Sequence, residues 1–328
     1  VATHSAAEVE FLPRRAGDKK RKLNGNRLTI YYAAGNMVEK VRAVDVVTRT
    51  ENPKKDGKIS VATTRSKDLQ AEFDPATGQT TKIEQWPDFE YEEATLRARA
   101  SKATLDAAKE TITLDGSGRL WDETGSTSAD LIVLQQATGD MSATGHVAST
   151  RMPDGKAKSS DGMLDARQPI QARAQKMATT NKNQMIRYEG DVLMWQGGSR
   201  LRGKTIEIDR ENDKLTATGD VATLIPDDRG GSSKPKPGAT FVKSSSLVYD
   251  DKEKLAYYSG GVGLERPNLD LKSAQLRVWF REEKDSKGAT DSKLDRMFAD
   301  GQVVVVEKGP KATKTGTSEH GEYYPEEE

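Results

Sequence analysis

Residues 173–224 read RAQKMATTNKNQMIRYEGDVLMWQGGSRLRGKTIEIDRENDKLTATGDVATL. Ile206 and Ile208 lie on one face of an alternating run, and Arg210 to Lys214 makes a polar turn. Leu215, Ala217, Gly219 and Val221 return on the same face. A period of two broken by a polar turn is the signature of a β-hairpin. Met185 to Trp195 supplies a further arm, expected to turn on Gly190-Asp191.

Sliding the chain along itself finds copies of this stretch. A shift of 70 places Met177 on Leu247, Gly190 on Gly260, Val192 on Val262, Met194 on Leu264, Leu201 on Leu271, Ile206 on Leu276 and Ile208 on Val278, with no gap. A shift of 74 the other way places Ile132 and Leu134 under Ile206 and Ile208, and Met141, Ala143, Gly145 and Val147 under Leu215 to Val221. A shift of 72 carries the pattern back to Leu105 and sets Gly118 under Gly190. Recurrence at such a period marks stacked units, each burying its apolar face on its neighbours. The predicted fold class is therefore all-β, with repeated antiparallel hairpins stacked in register.

The bulk composition fits that fold. Only 34% of the 328 residues are hydrophobic, yet 51 basic and 51 acidic residues cancel. Disorder usually pairs low hydrophobicity with strong net charge, whereas strands that alternate inside and outside bury only half their positions. Intermixed charge of both signs gives no nucleic-acid surface. The chain has no Cys, which excludes disulfides and thiolate-bound metals. An apolar run as short as Val303 to Val306 cannot span a bilayer as a helix. The chain starts at Val1 without an apolar leader, so any signal peptide is expected to lie outside this sequence.

Along the chain, the basic run from Arg14 to Lys22 reads as a solvated loop. Hairpins are expected from Leu28 through Val47 and around the turn Asp74 to Gly78, and residues 94–114 are read as strands. Arg151 to Pro169, Asp227 to Gly238 and Glu282 to Asp291 read as loops inserted between strands. His320 to Glu328 reads as the first strand of a further hairpin, with its turn at Pro325 and no return strand. That predicts a piece of a longer array, or an edge completed by a partner.

One motif points to chemistry. Gly198-Ser-Arg-Leu-Arg-Gly203-Lys204-Thr205 matches the phosphate-loop pattern, but Ile-Glu-Ile-Asp follows it where that motif needs a helix. His4, His146 and His320 lie far apart and no HExxH or GxSxG is present. No enzyme activity, metal or cofactor is expected. The repeated glycines 145, 190, 219, 260 and 301 each precede an inward Val by two, as at a β-bulge or bend.

Ala217-Thr-Gly-Asp-Val221, Ala143-Thr-Gly-His-Val147, Tyr188-Glu-Gly-Asp-Val192 and Leu201-x-Gly203-x-x-Ile206-x-Ile208 together resemble the OstA-like family, the periplasmic LptA and LptC proteins and the N-terminal domain of LptD. The likeness is good over 100–306 and weaker over 20–95. It implies a twisted β-jellyroll, open along one side, whose interior shields the acyl chains of lipopolysaccharide or a similar envelope lipid. It also implies end-to-end joining with other jellyroll units, of the same chain or LptC- and LptD-like, into a periplasmic bridge. The chain departs from the family in its long insertions and in having more repeats than one LptA-like unit. It divides on this reading into segments 1–165 and 166–328. The expected groove wall is Ile132, Leu134, Val147, Val192, Met194, Leu201, Ile206, Ile208, Leu215, Val221, Leu247, Val262, Leu264, Leu271, Leu276, Val278 and Val303. The competing reading is a structural or adhesive β-solenoid with a closed core and no ligand.

Overall fold

A computed structural model describes residues 2–11, 19–53, 57–153, 168–226, 238–284 and 290–324. They form twenty strands, with a single 3-10 turn at Ala34–Asn36. The chain splits into two compact units, Val1–Val147 and Ala148–Glu328. The division expected at 165/166 lies outside the described residues.

Unit 1 holds β1 (Ala2–Phe11), β2 (Arg21–Tyr32), β3 (Val38–Pro53), β4 (Ile59–Phe73), β5 (Thr80–Trp86), β6 (Phe89–Glu93), β7 (Leu96–Ala100), β8 (Lys102–Asp106), β9 (Thr111–Asp122) and β10 (Gly125–Gln135). β11 (Met141–Arg151) contains the boundary. Neighbours pair antiparallel from β1 to β4. β4 then pairs β5 along one half and β6 along the other. β5 continues to β8 and β6 to β7, and both of these meet β9. β5 with β6, and β7 with β8, are thus two long strands, each broken once. Pro87, which can donate no ladder bond, breaks the first. The inward row Leu28, Ala43, Leu69, Gln85, Ala103, Leu114, Ile132 crosses the unit.

The described end of the basic run, Lys20 to Lys22, is not the solvated loop expected from its charge. Arg21 to Asn24 pairs with Glu8 to Phe11, and Lys20 meets Glu10 at 2.9 Å on the outer face. Val9 and Phe11 pack on the core beneath, so alternation decides this segment and charge does not. Arg14 and Arg15 lie outside the described residues.

Unit 2 continues through β12 (Ile170–Thr180), β13 (Met185–Gln196), β14 (Ser199–Asp209), β15 (Lys214–Pro226), β16 (Ala239–Asp250), β17 (Leu255–Arg266), β18 (Leu269–Lys284), β19 (Thr290–Lys308) and β20 (Thr313–Tyr323). Each pairs antiparallel with the next from β12 onward. Two sequence expectations change here. Glu282–Lys284 is not looped out but pairs with Thr290–Ser292. β20 starts at Thr313 and is itself the return strand of β19, not the start of a new hairpin. The remaining loop residues, 154–167, 227–237, 285–289 and 325–328, lie outside the described residues.

Gly190-Asp191 does not reverse the chain as expected. β13 runs through it, and the pair forms a bulge where the register slips against both neighbours. Both residues have positive φ, 81° and 46°. The same pair of left-handed residues recurs at Gly116-Ser117, Gly145-His146, Gly219-Asp220, Gly260-Gly261 and Gly301-Gln302. In unit 2 the slips fall in one line across all nine strands from β12 to β20. A bulge bends its strand and deepens its twist, so the aligned slips form a crease. In β9 the left-handed glycine is Gly116, two residues before the Gly118 that the 72-residue shift selects.

Candidate functional site

The interior of unit 2 is built from complete cross-strand rows. One row runs Met177, Tyr188, Ile206, Ala217, Leu247, Tyr258, Leu276, Ala299, Gly321. The next, nearer the strand ends, runs Thr179, Ile186, Ile208, Leu215, Tyr249, Ala256, Val278, Met297, Tyr323. Beyond the crease lies Ala172, Met194, Leu201, Thr223, Val242, Leu264, Leu271, Val305, Gly316. Val192, Val221, Val262 and Val303 line the crease itself, each opposite a small residue: Gly203, Ser244, Ser273 and Ser318.

Every member of the expected groove wall lies on an inward row. Fourteen belong to unit 2, and Ile132, Leu134 and Val147 belong to unit 1. All are buried, between 0% and 7% exposed, except Leu134 and Ile208, which are half-buried near strand ends. Within each unit these side chains are therefore covered by their neighbours.

Three tyrosines escaped the sequence reading. Tyr188, Tyr249 and Tyr258 sit in the same rows at 5%, 1% and 1% exposure. Their signal was present, since Ile186-x-Tyr188 and Leu247-x-Tyr249 keep the period of two. Burial raises the Tyr188 hydroxyl above its ordinary range, and Ser149 accepts or donates a hydrogen bond to it at 2.8 Å. Gln85 and Thr223 bring polar atoms inside. The Gln85 amide donates to Thr64 at 2.9 Å, while its carbonyl and the Thr223 hydroxyl have no protein partner.

The phosphate-loop match has a structural explanation. Gly197 and Gly198 are the tight turn between β13 and β14, and Gly203 and Lys204 are strand residues at the crease. A Cβ on Gly203 would lie 3.2 Å from the Thr218 carbonyl. The Lys204 stem packs over Gly219 and its ammonium pairs with Asp220 at 3.0 Å. No helix follows to aim its N-terminus at a phosphate.

His146 and His320 stand apart on outer faces. His146 meets Asp130 at 2.9 Å. His320 sits between Asp300 (2.6 Å) and Glu322 (3.0 Å), and these carboxylates, Glu322 foremost, raise it above 6.5. A raised folded value means that its contribution to stability is full below the unfolded pKa of about 6.5 and is lost as pH rises through the folded value. NMR titration of the His320 ring should therefore give a pKa above that of His320 in a Glu322→Gln, Asp300→Asn variant. Equal values would show that the cradle is not formed. Among the described residues no group of three or more His, Asp or Glu is placed to hold a metal.

Residues 19–140 and 148–214, more than half of the chain, match the model of a family described as LptA/(LptD N-terminal domain) LPS transport protein. Among solved structures, the chain is similar to LptH from Pseudomonas aeruginosa, described as the LptA homologous periplasmic component of a lipopolysaccharide transport device. The identity is 13% and the TM-score 0.32, over 43% of this chain and 90% of that one. No curated protein is significantly similar to the chain.

Proposed function

We propose, for a chain that belongs to the LptA/(LptD N-terminal domain) family of LPS transport proteins, that it acts in the periplasm as a non-enzymatic carrier of lipopolysaccharide or a similar envelope lipid. The acyl chains lie along the inward rows and the sugars stay outside. The observation that carries this reading is the continuity of the rows. In unit 2 the row through Ile206, Leu247 and Leu276 crosses nine strands with no charged residue. An acyl chain moved along it meets near-equal apolar sites in file, each methylene gaining roughly 0.8 kcal/mol on burial. Nothing in the rows can power movement, so the energy comes from a partner.

Two segments, 1–165 and 166–328, then act in series, joined end to end with further units. Among the described residues β20 pairs only with β19, and a strand edge with free N–H and C=O groups is a template for another strand. Because the inward side chains cover one another, lipid must part them on entry. Flexing at the crease, where ladder hydrogen bonds are already interrupted, supplies that opening.

A closed structural solenoid is the second reading, and the near-zero exposure of Ile206 and Val262 favours it. A photo-reactive amino acid at each of these two positions separates the readings. The carrier gives a lipopolysaccharide adduct at both after expression in a diderm host, and lipid is recovered on extraction of the purified protein. No adduct and no extracted lipid would leave the solenoid.

A further inference from the structure

At one end of unit 2 the inward face stops being apolar. The alternation Ile206, Ile208, Arg210 places Arg210 at the rim of the inward face of β14, just past the strand end. In β11 the alternation Val147, Ser149, Arg151 places Arg151 at a rim in the same way. Between them the buried Tyr188 hydroxyl meets the Ser149 hydroxyl at 2.8 Å. Arg210 is half-buried, and one of its guanidinium nitrogens donates to the Asn183 carbonyl at 3.0 Å, which fixes the group in place.

Among the described residues neither Arg210 nor Arg151 makes an ion pair with a carboxylate. The titratable groups acting on Arg210 are another guanidinium, that of Arg151, and the neutral Tyr188 phenol. Burial and the repulsion from Arg151 both push Arg210 below its ordinary value. Both guanidiniums also act on the Tyr188 hydroxyl. The neighbouring carboxylates are engaged elsewhere: Asp209 caps the turn amides of Glu211 and Asn212, and Glu189 and Glu207 hold Arg187 on the outer face. A half-buried charge with a like charge beside it is unfavourable unless an anion completes the set. Guanidinium groups with hydroxyl donors match the oxygens of a phosphate ester.

We propose that this rim is a binding site for a phosphate monoester, held by Arg151 and Arg210 with the Ser149 and Tyr188 hydroxyl groups. The phosphate is that of an amphiphile whose chain enters the apolar rows past Ile208 and Ile206. The choice of an amphiphile rests on the carrier reading, whereas the anion site does not.

The test uses the full chain and three probes: dodecyl phosphate, dodecyl maltoside and inorganic phosphate, the detergents below their micellar concentrations. Dodecyl phosphate is expected to bind at least tenfold tighter than the maltoside. Arg151→Gln with Arg210→Gln should abolish that preference and leave maltoside binding within twofold. In phosphate-free buffer Arg210→Gln should melt at or above the temperature of the unaltered chain, because it removes an uncompensated charge. Phosphate should then raise the melting temperature of the unaltered chain alone. In the unaltered chain, dodecyl phosphate should also protect Arg210 from phenylglyoxal, a readout that needs no variant. A preference that survives in the double variant, or no binding of either phosphate probe, overturns the proposal. If both amphiphiles bind equally and inorganic phosphate does not, the site fails and the carrier reading stands. If inorganic phosphate binds through the two arginines and neither amphiphile does, the anion site stands and lipid carriage fails.

Discussion

Gly260→Ala is expected to destabilise unit 2 by about 3 kcal/mol, whereas Gly261→Asn, one residue later, should cost less than about 1 kcal/mol. Both glycines have positive φ, 82° and 81°. They differ in what surrounds them. A Cβ on Gly260 would lie 2.6 Å from the Ser245 Cβ and 2.8 Å from its hydroxyl, and Ser245 sits on β16, held by its hydrogen bond to the Gly260 carbonyl at 2.6 Å. A Cβ on Gly261 meets nothing within 4 Å. The first substitution therefore adds a clash to the roughly 1–2 kcal/mol cost of a left-handed L-residue, and the second carries only the backbone term, which Asn reduces. The sister bulges agree, since they place Asp191, Asp220, His146 and Gln302 at the second position with φ of 46°, 52°, 47° and 51°. Urea unfolding of the two variants measures the difference. Equal costs would mean that Ser245 is not pressed against the bulge.

The bulges also show where sequence reading succeeds and where it stops. Period-two alternation placed Ile132, Val192, Ile206, Val221 and Val262 inward, because burial on one face forces the apolar set onto alternate residues. It also found that each repeated glycine stands two before an inward valine. The conformation of Gly190-Asp191 stayed hidden, since a hairpin turn and a bulge both need left-handed residues and both change the parity of the pattern. Only the pairing of Glu189 with Thr205 and Val192 with Gly203 decides for the bulge. Lys20 to Lys22 misled for a related reason: outward Lys20 and Lys22 with Arg21 between them resemble a charge run until Glu8 and Glu10 appear opposite. Arg210 was legible as the inward member after Ile206 and Ile208, yet it reads as part of the polar turn, because its lack of a carboxylate partner among the described residues is a fact of three dimensions. Whether the rows hold lipid or only each other is a question of how the walls part, and no linear pattern encodes that.

Leu247→Asp should have the largest effect of any substitution in the inward rows, a loss of more than about 4 kcal/mol at neutral pH. Leu247 is 0% exposed and lies between Ala217 and Tyr258 in the row that crosses all nine strands. Part of the loss is the cavity left by leucine, about 2–5 kcal/mol for truncation of a buried leucine. The rest is the carboxylate, which finds no cation among those row neighbours and so must be held with its folded pKa raised well above the usual value of about 3.9. For an acid raised in the folded state, the stability of the variant is greatest below the unfolded pKa and falls as pH rises toward the folded one. The gap to the unaltered chain should therefore narrow between pH 7 and about pH 4, while a Leu247→Asn variant shows no such trend. Val248→Asp supplies the control. Val248 is half-exposed on the outer face opposite Thr216 and Tyr257, so its carboxylate stays in water and the cost should be under about 1 kcal/mol. Equal losses at 247 and 248 would remove the distinction between inner and outer faces, and with it the apolar path that a lipid would follow. A large loss at 247 alone fixes the face, and leaves the photo-adduct at Ile206 to say what lies against it.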